Sequence, residues 1–370
     1  MLSPDTPICS KEEDVIGKTD FTVQLAQMLL NYDQKESLTI GLYGKWGTGK
    51  TSILNMVEDE LKLKSDKSTA IVQFKPWLFT SQSQLVSQFF EQIVGELNLT
   101  KHKKLKKYLK RYSSTLNGVP NSSLRFVFHF IIDSFLNTKD IYELKKEIEN
   151  ELSRSDSKII VFIDDIDRLT NEEIFLIFQL VKSIADFPNT IYLLAFDRQI
   201  VINALEQVQG DNGFSYLEKI INVPFELPMT NRYEMEYFLK FKIYSIVLGR
   251  SITYKDMAEN MSGLHPDYRD INLHLDKKFH DSSHHIRYYL KNFRDVSRVS
   301  NAFALKYSVL KNKVNLEDLV LITIIQVFEP TVYDNLFAYE ELFCGMPLEQ
   351  ITGHETTDLN SMRKLFGISS

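Results

Sequence analysis

A three-layered α/β fold with a central, mainly parallel sheet and an appended C-terminal helical unit is the class this 370-residue sequence predicts. Three observations carry that prediction. Apolar strand-like runs alternate with helical patterns as far as about residue 228. Four of only 14 glycines fall within residues 41–49, between one such run and a helical pattern. An apolar run at 159–163 ends in paired aspartates, as a strand buried on both faces would. From about 231 the pattern is mainly helical. The expected domains are therefore 1–230, with a helical insertion at about 84–155, and 231–370.

Each element has its own signal. FTVQLAQMLLNY (21–32) has helical apolar spacing, and SLTIGLY (37–43) reads as the first strand. AIVQFKPWLF (70–79) is a strand that ends at Pro76-Trp77, and QLVSQFFEQIVGEL (84–97) is a helix. KHKKLKKYLKR (101–111) is densely cationic, and SLRFVFHFIIDSFL (123–136) is apolar with an aspartate inside it. The charged helix 142–154 leads to the strand that opens KIIVFIDDIDRL (158–169). A helix at 172–185, the strand TIYLLAFD (190–197), a helix at about 199–206 and a short strand within 220–228 complete the alternation. Helices at 284–307 and 315–328 belong to the C-terminal unit.

Gly44-x4-Gly49-Lys50-Thr51, placed between strand and helix, is the full phosphate-loop pattern. Small residues let successive backbone N–H groups curl around phosphate oxygens, with the positive end of the next helix aimed at them. Gly44, Lys45, Trp46, Gly47, Thr48, Gly49, Lys50, Thr51 and Ser52 are the candidate nucleotide-binding residues. Lys50 is expected to reach the β- and γ-phosphates, and the Thr51 hydroxyl to ligate Mg²⁺. The other half of a metal site is expected from the acid that ends the 159–163 strand. Asp164 is the candidate metal ligand, and Asp165 the acid that orients or activates an attacking water. Arg168 is expected to pair locally with Asp167, or else to reach a phosphate. Asp197 is read as a polar sensor, an N-cap, or both. Arg294 and Arg298, one helical turn apart, can present two cations as a phosphate sensor.

The chain resembles the KAP NTPases on GKWGTGKT (44–51), FKPWLF (74–79), IIVFIDDIDRL (159–169), LLAFDRQIV (193–201), YLEKIINVPFELP (216–228) and NFRDVSRVSNAF (292–303). EEDVIGKTDFTVQLA (12–26) is similar to that family's leader, which packs near the adenine. The resemblance implies a three-layer P-loop NTPase of the STAND/AAA-like ASCE type. It also implies ATP rather than GTP, and hydrolysis by a positioned water and Mg²⁺ without a covalent intermediate. No NKxD-like guanine-reading motif is present. A nucleotide-driven conformational switch working with a protein partner, an effector or a second copy is the function implied, with antiphage defence its setting by family analogy. The alternatives are a nucleic-acid-stimulated motor or loader of the AAA+ kind and a scaffold that uses ATP only to hold its shape.

Net charge of −6 argues against a chain-wide nucleic-acid binder and leaves only a local patch for that role. The basic stretch Lys101–Arg111 is expected to be a solvated helix face. Nucleic acid, anionic lipid or a protein partner are its alternative uses. Cys9 and Cys344 form no disulfide framework, and the opening MLSPDTPICSKEEDVIG has no basic-then-apolar signal, so a cytoplasmic chain is expected. No apolar run reaches the roughly 18 residues of a membrane span, although many members of the resembled family carry spans between loop and acidic strand. His280, Asp281, Ser282, Ser283, His284 and His285 read as a polar loop rather than a zinc site, and Trp77 as core.

Overall fold

β-Branched and aromatic runs that are apolar at nearly every position can be buried only between two layers, and the first part of the chain is built that way. The computed structural model describes residues 6–14, 17–65, 68–79, 81–97, 102–117, 139–155, 157–210, 212–227, 232–249, 286–311 and 313–338. These fall in two compact units, Pro7–Met229 and Thr230–Ser370, the latter grouped with Met1–Thr6.

Five strands form the sheet of the first unit: β1 (Leu38–Tyr43), β2 (Thr69–Phe74), β3 (Lys158–Ile163), β4 (Thr190–Phe196) and β5 (Val223–Glu226). Their order is β2-β3-β4-β1-β5, and neighbours pair in parallel. The helices are α1 (Thr19–Asn31), α2 (Lys50–Lys64), α3 (Gln82–Glu96), α4 (Lys103–Asn117), α5 (Lys139–Arg154), α6 (Asn171–Gln179), α7 (Arg198–Gln209) and α8 (Gly213–Glu218).

Strand alternation sorts the core into two layers. Ile160, Phe162, Ile191, Leu193 and Ala195 point to one face, where they pack with residues of α1 and α2. Ile159, Val161, Ile163, Tyr192, Leu194 and Phe196 point to the other, against residues of α3 to α8. The three-layer α/β expectation holds.

Two departures from the sequence reading have local causes. The 70–79 run is not one strand: β2 stops at Phe74, and Pro76–Leu78 form a 3₁₀ turn, because proline has no N–H for the ladder. The helix expected at 172–185 is α-helical only to Gln179 and continues as a π turn, Leu180–Ile184.

From Lys103 onward the basic stretch lies within α4, which buries Leu105, Leu109, Tyr112 and Leu116 and leaves Lys103, Lys104, Lys107, Lys110 and Arg111 exposed; Lys101 lies outside the described residues. Among the described residues no helix is long and apolar enough to cross a membrane. The apolar segment 123–136, the polar loop 280–285 and Cys344 lie outside the described residues.

In the second unit α9 (Arg232–Leu248), α10 (Phe293–Leu310), α11 (Leu316–Phe328) and α12 (Pro330–Ala338) follow one another. Met235, Leu239, Ile243, Val299, Phe303 and Val320 share its core. Side-chain caps set two helix starts: Asn292 Oδ1 accepts from the Asp295 N–H at 3.0 Å, and Asn315 Oδ1 from the Glu317 N–H at 2.8 Å. Buried Glu236 is neutralised by Lys240 at 3.2 Å and by Arg287, whose guanidinium lies 4.0 Å from the centre of the Tyr233 ring.

Candidate functional site

The register aligns the carboxyl ends of the central strands, pairing Tyr43 with Phe196 and Ile163 with Leu194. Ligand sites in open parallel sheets form at this edge. The loop that leaves β1 and the acidic turn that leaves β3 both open there, with β4 between them.

In the loop, Gly49 is the N-cap of α2 at φ 88°, a left-handed conformation that a side chain would strain. Gly44 is needed for a different reason, since a Cβ there would come within 2.6 Å of Thr48 Oγ1. Thr48 in turn donates its hydroxyl to the Lys45 carbonyl at 2.7 Å and closes the turn. Trp46 is 65% exposed at the loop tip. Ser52 accepts a hydrogen bond from the Ile8 N–H at 3.3 Å, and Asn55 Nδ2 donates to the Ile8 carbonyl at 3.1 Å. Together they tie the segment just before the leader across the start of α2.

Lys50 folds back onto its own loop. Its ammonium donates to the Gly44 carbonyl at 2.8 Å and the Lys45 carbonyl at 3.4 Å, and it pairs with Asp167 at 3.4 Å. Loop and acids, more than a hundred residues apart in the chain, therefore meet.

The three carboxylates of the turn have separate environments. Asp164 is 4% exposed; its Oδ1 accepts from the Asp165 N–H at 2.8 Å, and its Oδ2 is buried with no hydrogen-bond partner. Burial pushes its pKa up, and the nearby Asp165 charge adds to that. Thr51, the Asp165 N–H and Lys50 oppose the rise. Asp165 sits at φ 58°, the N-cap of a single 3₁₀ turn, and pairs with Arg168 Nε at 2.7 Å. The Arg168 guanidinium rests 5.2 Å from the centre of the Trp77 ring.

These contacts correct two expectations. The Asp167–Arg168 pair does not form, because the left-handed Asp165 turns Arg168 toward Asp165 and leaves Asp167 to Lys50. Trp77 is not core: it is 43% exposed and carries Arg168 on its face. The Lys50–Asp167 pair was missed, and the DDxDR spacing, which offers three acids for one lysine, was the available signal.

At the end of β4, Asp197 Oδ1 accepts from the Gln199 N–H at 3.0 Å, so the N-cap reading is realised. Arg198 lies 5.3 Å from the Tyr43 ring centre and 5.1 Å from that of Phe214, and pairs with Glu226 at 3.5 Å. In the helical unit, Arg298 reaches the Val327 carbonyl at 3.3 Å and Asp295 at 4.0 Å. Its guanidinium faces the Phe328 ring at 5.9 Å. Arg294 is on the same helix.

An unpartnered buried carboxylate oxygen beside a threonine that favours its ionised form is a donor set suited to a hard divalent cation. Among the described residues no group of three or more His, Cys, Asp or Glu side chains is gathered for a metal. Most of such an ion's ligands would therefore come from elsewhere.

The phage T7 exclusion protein of Escherichia coli (strain K12) is 25% identical over 365 residues, covering 89% of this chain and 47% of that protein. The disease resistance protein RPP13 of Arabidopsis thaliana is 26% identical over 100 residues, 27% of this chain and 11% of that one. The chain thus spans about half the length of the first relative and about a tenth of the second. Among solved structures, Aeropyrum pernix ORC1 in complex with DNA is 13% identical, with a TM-score of 0.44 over 96% of this chain and 85% of that one. A Thermotoga maritima RuvB mutant is also 13% identical, with a TM-score of 0.40 over 97% and 83%. The KAP family P-loop domain matches residues 19–310, which takes in the loop, the acidic turn and all of α10. With that match over most of its length, this chain belongs to the KAP family of P-loop proteins, whose fold is built to bind nucleotides.

Proposed function

We propose that the chain binds and hydrolyses ATP and uses the cycle as a conformational switch, in bacterial defence against phage. One observation carries the reading: the unpartnered Asp164 Oδ2 is buried beside the lysine and threonine of the loop. A buried carboxylate oxygen left without a hydrogen bond costs stability, and such a cost persists where a site needs that oxygen free.

The roles follow from the chain's own groups. Backbone N–H groups of residues 44–49 would hold the β- and γ-phosphates, and Lys50 would leave its loop carbonyls and Asp167 to meet them. Thr51 and Asp164 would hold Mg²⁺, which when bound would neutralise charge developing on the phosphates. Asp165 would orient the attacking water once released from Arg168. Arg294 and Arg298 are the candidates for relaying nucleotide state to the helical unit. The defence setting is supported by the name of the E. coli relative, a phage exclusion protein.

Turnover by the Asp165→Asn variant tests the reading. ATP binding should persist while hydrolysis falls roughly a hundredfold or more, the scale of a lost general base. Hydrolysis at the wild-type rate in that variant would overturn the assignment. Stimulation of wild-type hydrolysis by DNA or RNA would favour a motor instead.

A further inference from the structure

Lys50 is held by more than its loop. Its ammonium meets Asp167 Oδ2 at 3.4 Å, and each of the two side chains is 8% exposed. Asp165 is engaged by Arg168 at 2.7 Å, while Asp164 takes the Asp165 N–H on Oδ1 at 2.8 Å and makes no ion pair with Lys50. A buried charge stripped of its partner is expensive, so whatever takes the ammonium must also compensate Asp167.

We infer that Asp167 is the resting counter-ion of Lys50 and competes with a nucleotide's phosphates for it; this rests on the nucleotide-site reading above. Two effects act in the same direction. The pair must open before the ammonium can turn to a phosphate, and the carboxylate then faces an incoming anion as a like charge. Asp167 thus lowers affinity while keeping the empty loop closed on itself. It is a positioning residue, acting through Lys50.

The test is equilibrium binding of ATP and ADP to the purified chain, with magnesium and with EDTA, alongside thermal melting. Asp167→Asn should bind ATP about fivefold more tightly under both conditions. Without nucleotide it should melt at a lower temperature, and nucleotide should raise its midpoint further than it raises that of the wild type. Asp167→Glu, which keeps the charge, should return affinity to within about twofold of wild type. If the asparagine variant does not fold, Asp167→Ser carries the same expectation in a smaller side chain.

Unchanged or weaker binding by a folded charge-removing variant overturns the inference. Weakening confined to the magnesium samples also overturns it, and assigns Asp167 to the metal. Tighter binding by Asp167→Asn in a protein that never hydrolyses ATP would support the counter-ion role while removing the ATPase reading. A wild-type chain that binds no nucleotide removes both.

Discussion

The two edges of the same sheet are finished differently. At the amino edge polar groups are matched. Lys158 Nζ donates to the carbonyls of Leu29 and Leu30 at 3.1 and 2.5 Å, closing the C-terminal end of α1. Asn189 also sits at positive φ (56°), yet its amide donates to the Leu152 and Ser155 carbonyls at 2.8 and 3.2 Å. Ser37 binds Asp186, and Asn222 takes the Thr39 N–H at 2.8 Å. A cavity of about 430 Å³ opens there, lined partly by these same side chains. The carboxyl edge instead carries Asp164 Oδ2 and Arg198 Nε buried without partners, with Lys50 turned back on its own loop. One edge is completed structure. The other leaves two buried polar atoms without hydrogen bonds, which separates two kinds of polar residue that a sequence makes look alike.

Breaking that contrast at its strongest point means removing the loop cation. Lys50→Ala should weaken ATP binding roughly a hundredfold, the scale of losing a buried charge-assisted contact, in a titration calorimetry experiment. A second substitution sharpens the contrast by finishing the unfinished edge. Asp164→Asn should stabilise the nucleotide-free chain at neutral pH by about 1 kcal/mol and abolish the magnesium dependence of nucleotide binding.

The sign follows from the raised pKa of Asp164. The folded state prefers the protonated acid, so stability is full below the ordinary carboxylate range and is lost as pH rises through the raised value. The melting difference between variant and wild type should therefore shrink on acidification. The smallest effect on the site belongs to the completed edge. Lys158→Ala should cost about 1 kcal/mol in denaturant unfolding and leave nucleotide affinity unchanged.

Much of this was legible in the sequence because it depends on period and spacing. The runs 40–43, 159–163 and 191–196 are apolar at successive positions, as a strand covered on both faces would be, and the glycine spacing at 44–49 fixes the turn that follows. What stayed hidden depends on the direction in which a side chain leaves a turn. DDxDR names four charges but not their partners. A single left-handed residue, Asp165, decided that Arg168 goes to Asp165 and Trp77, and Asp167 to Lys50. Trp77 reads as core by type, but a 3₁₀ turn after Pro76 lifts it off the strand and leaves it half in solvent. Pairing of charges in a turn is tertiary information, fixed by backbone sign rather than by composition.

The placement of β4 has a mechanical consequence. Loop and acids leave strands that never touch each other by hydrogen bonds, so those strands run two inter-strand spacings apart, about 10 Å, and the Lys50–Asp167 pair bridges the gap at their ends. That gap is set by the two backbone ladders that β4 makes, to β1 on one side and to β3 on the other, around Leu193, Leu194 and Ala195, all fully buried. A proline in the middle of β4, which would break a ladder, would thus detune the bite of the site from beneath while every residue at its mouth kept its identity.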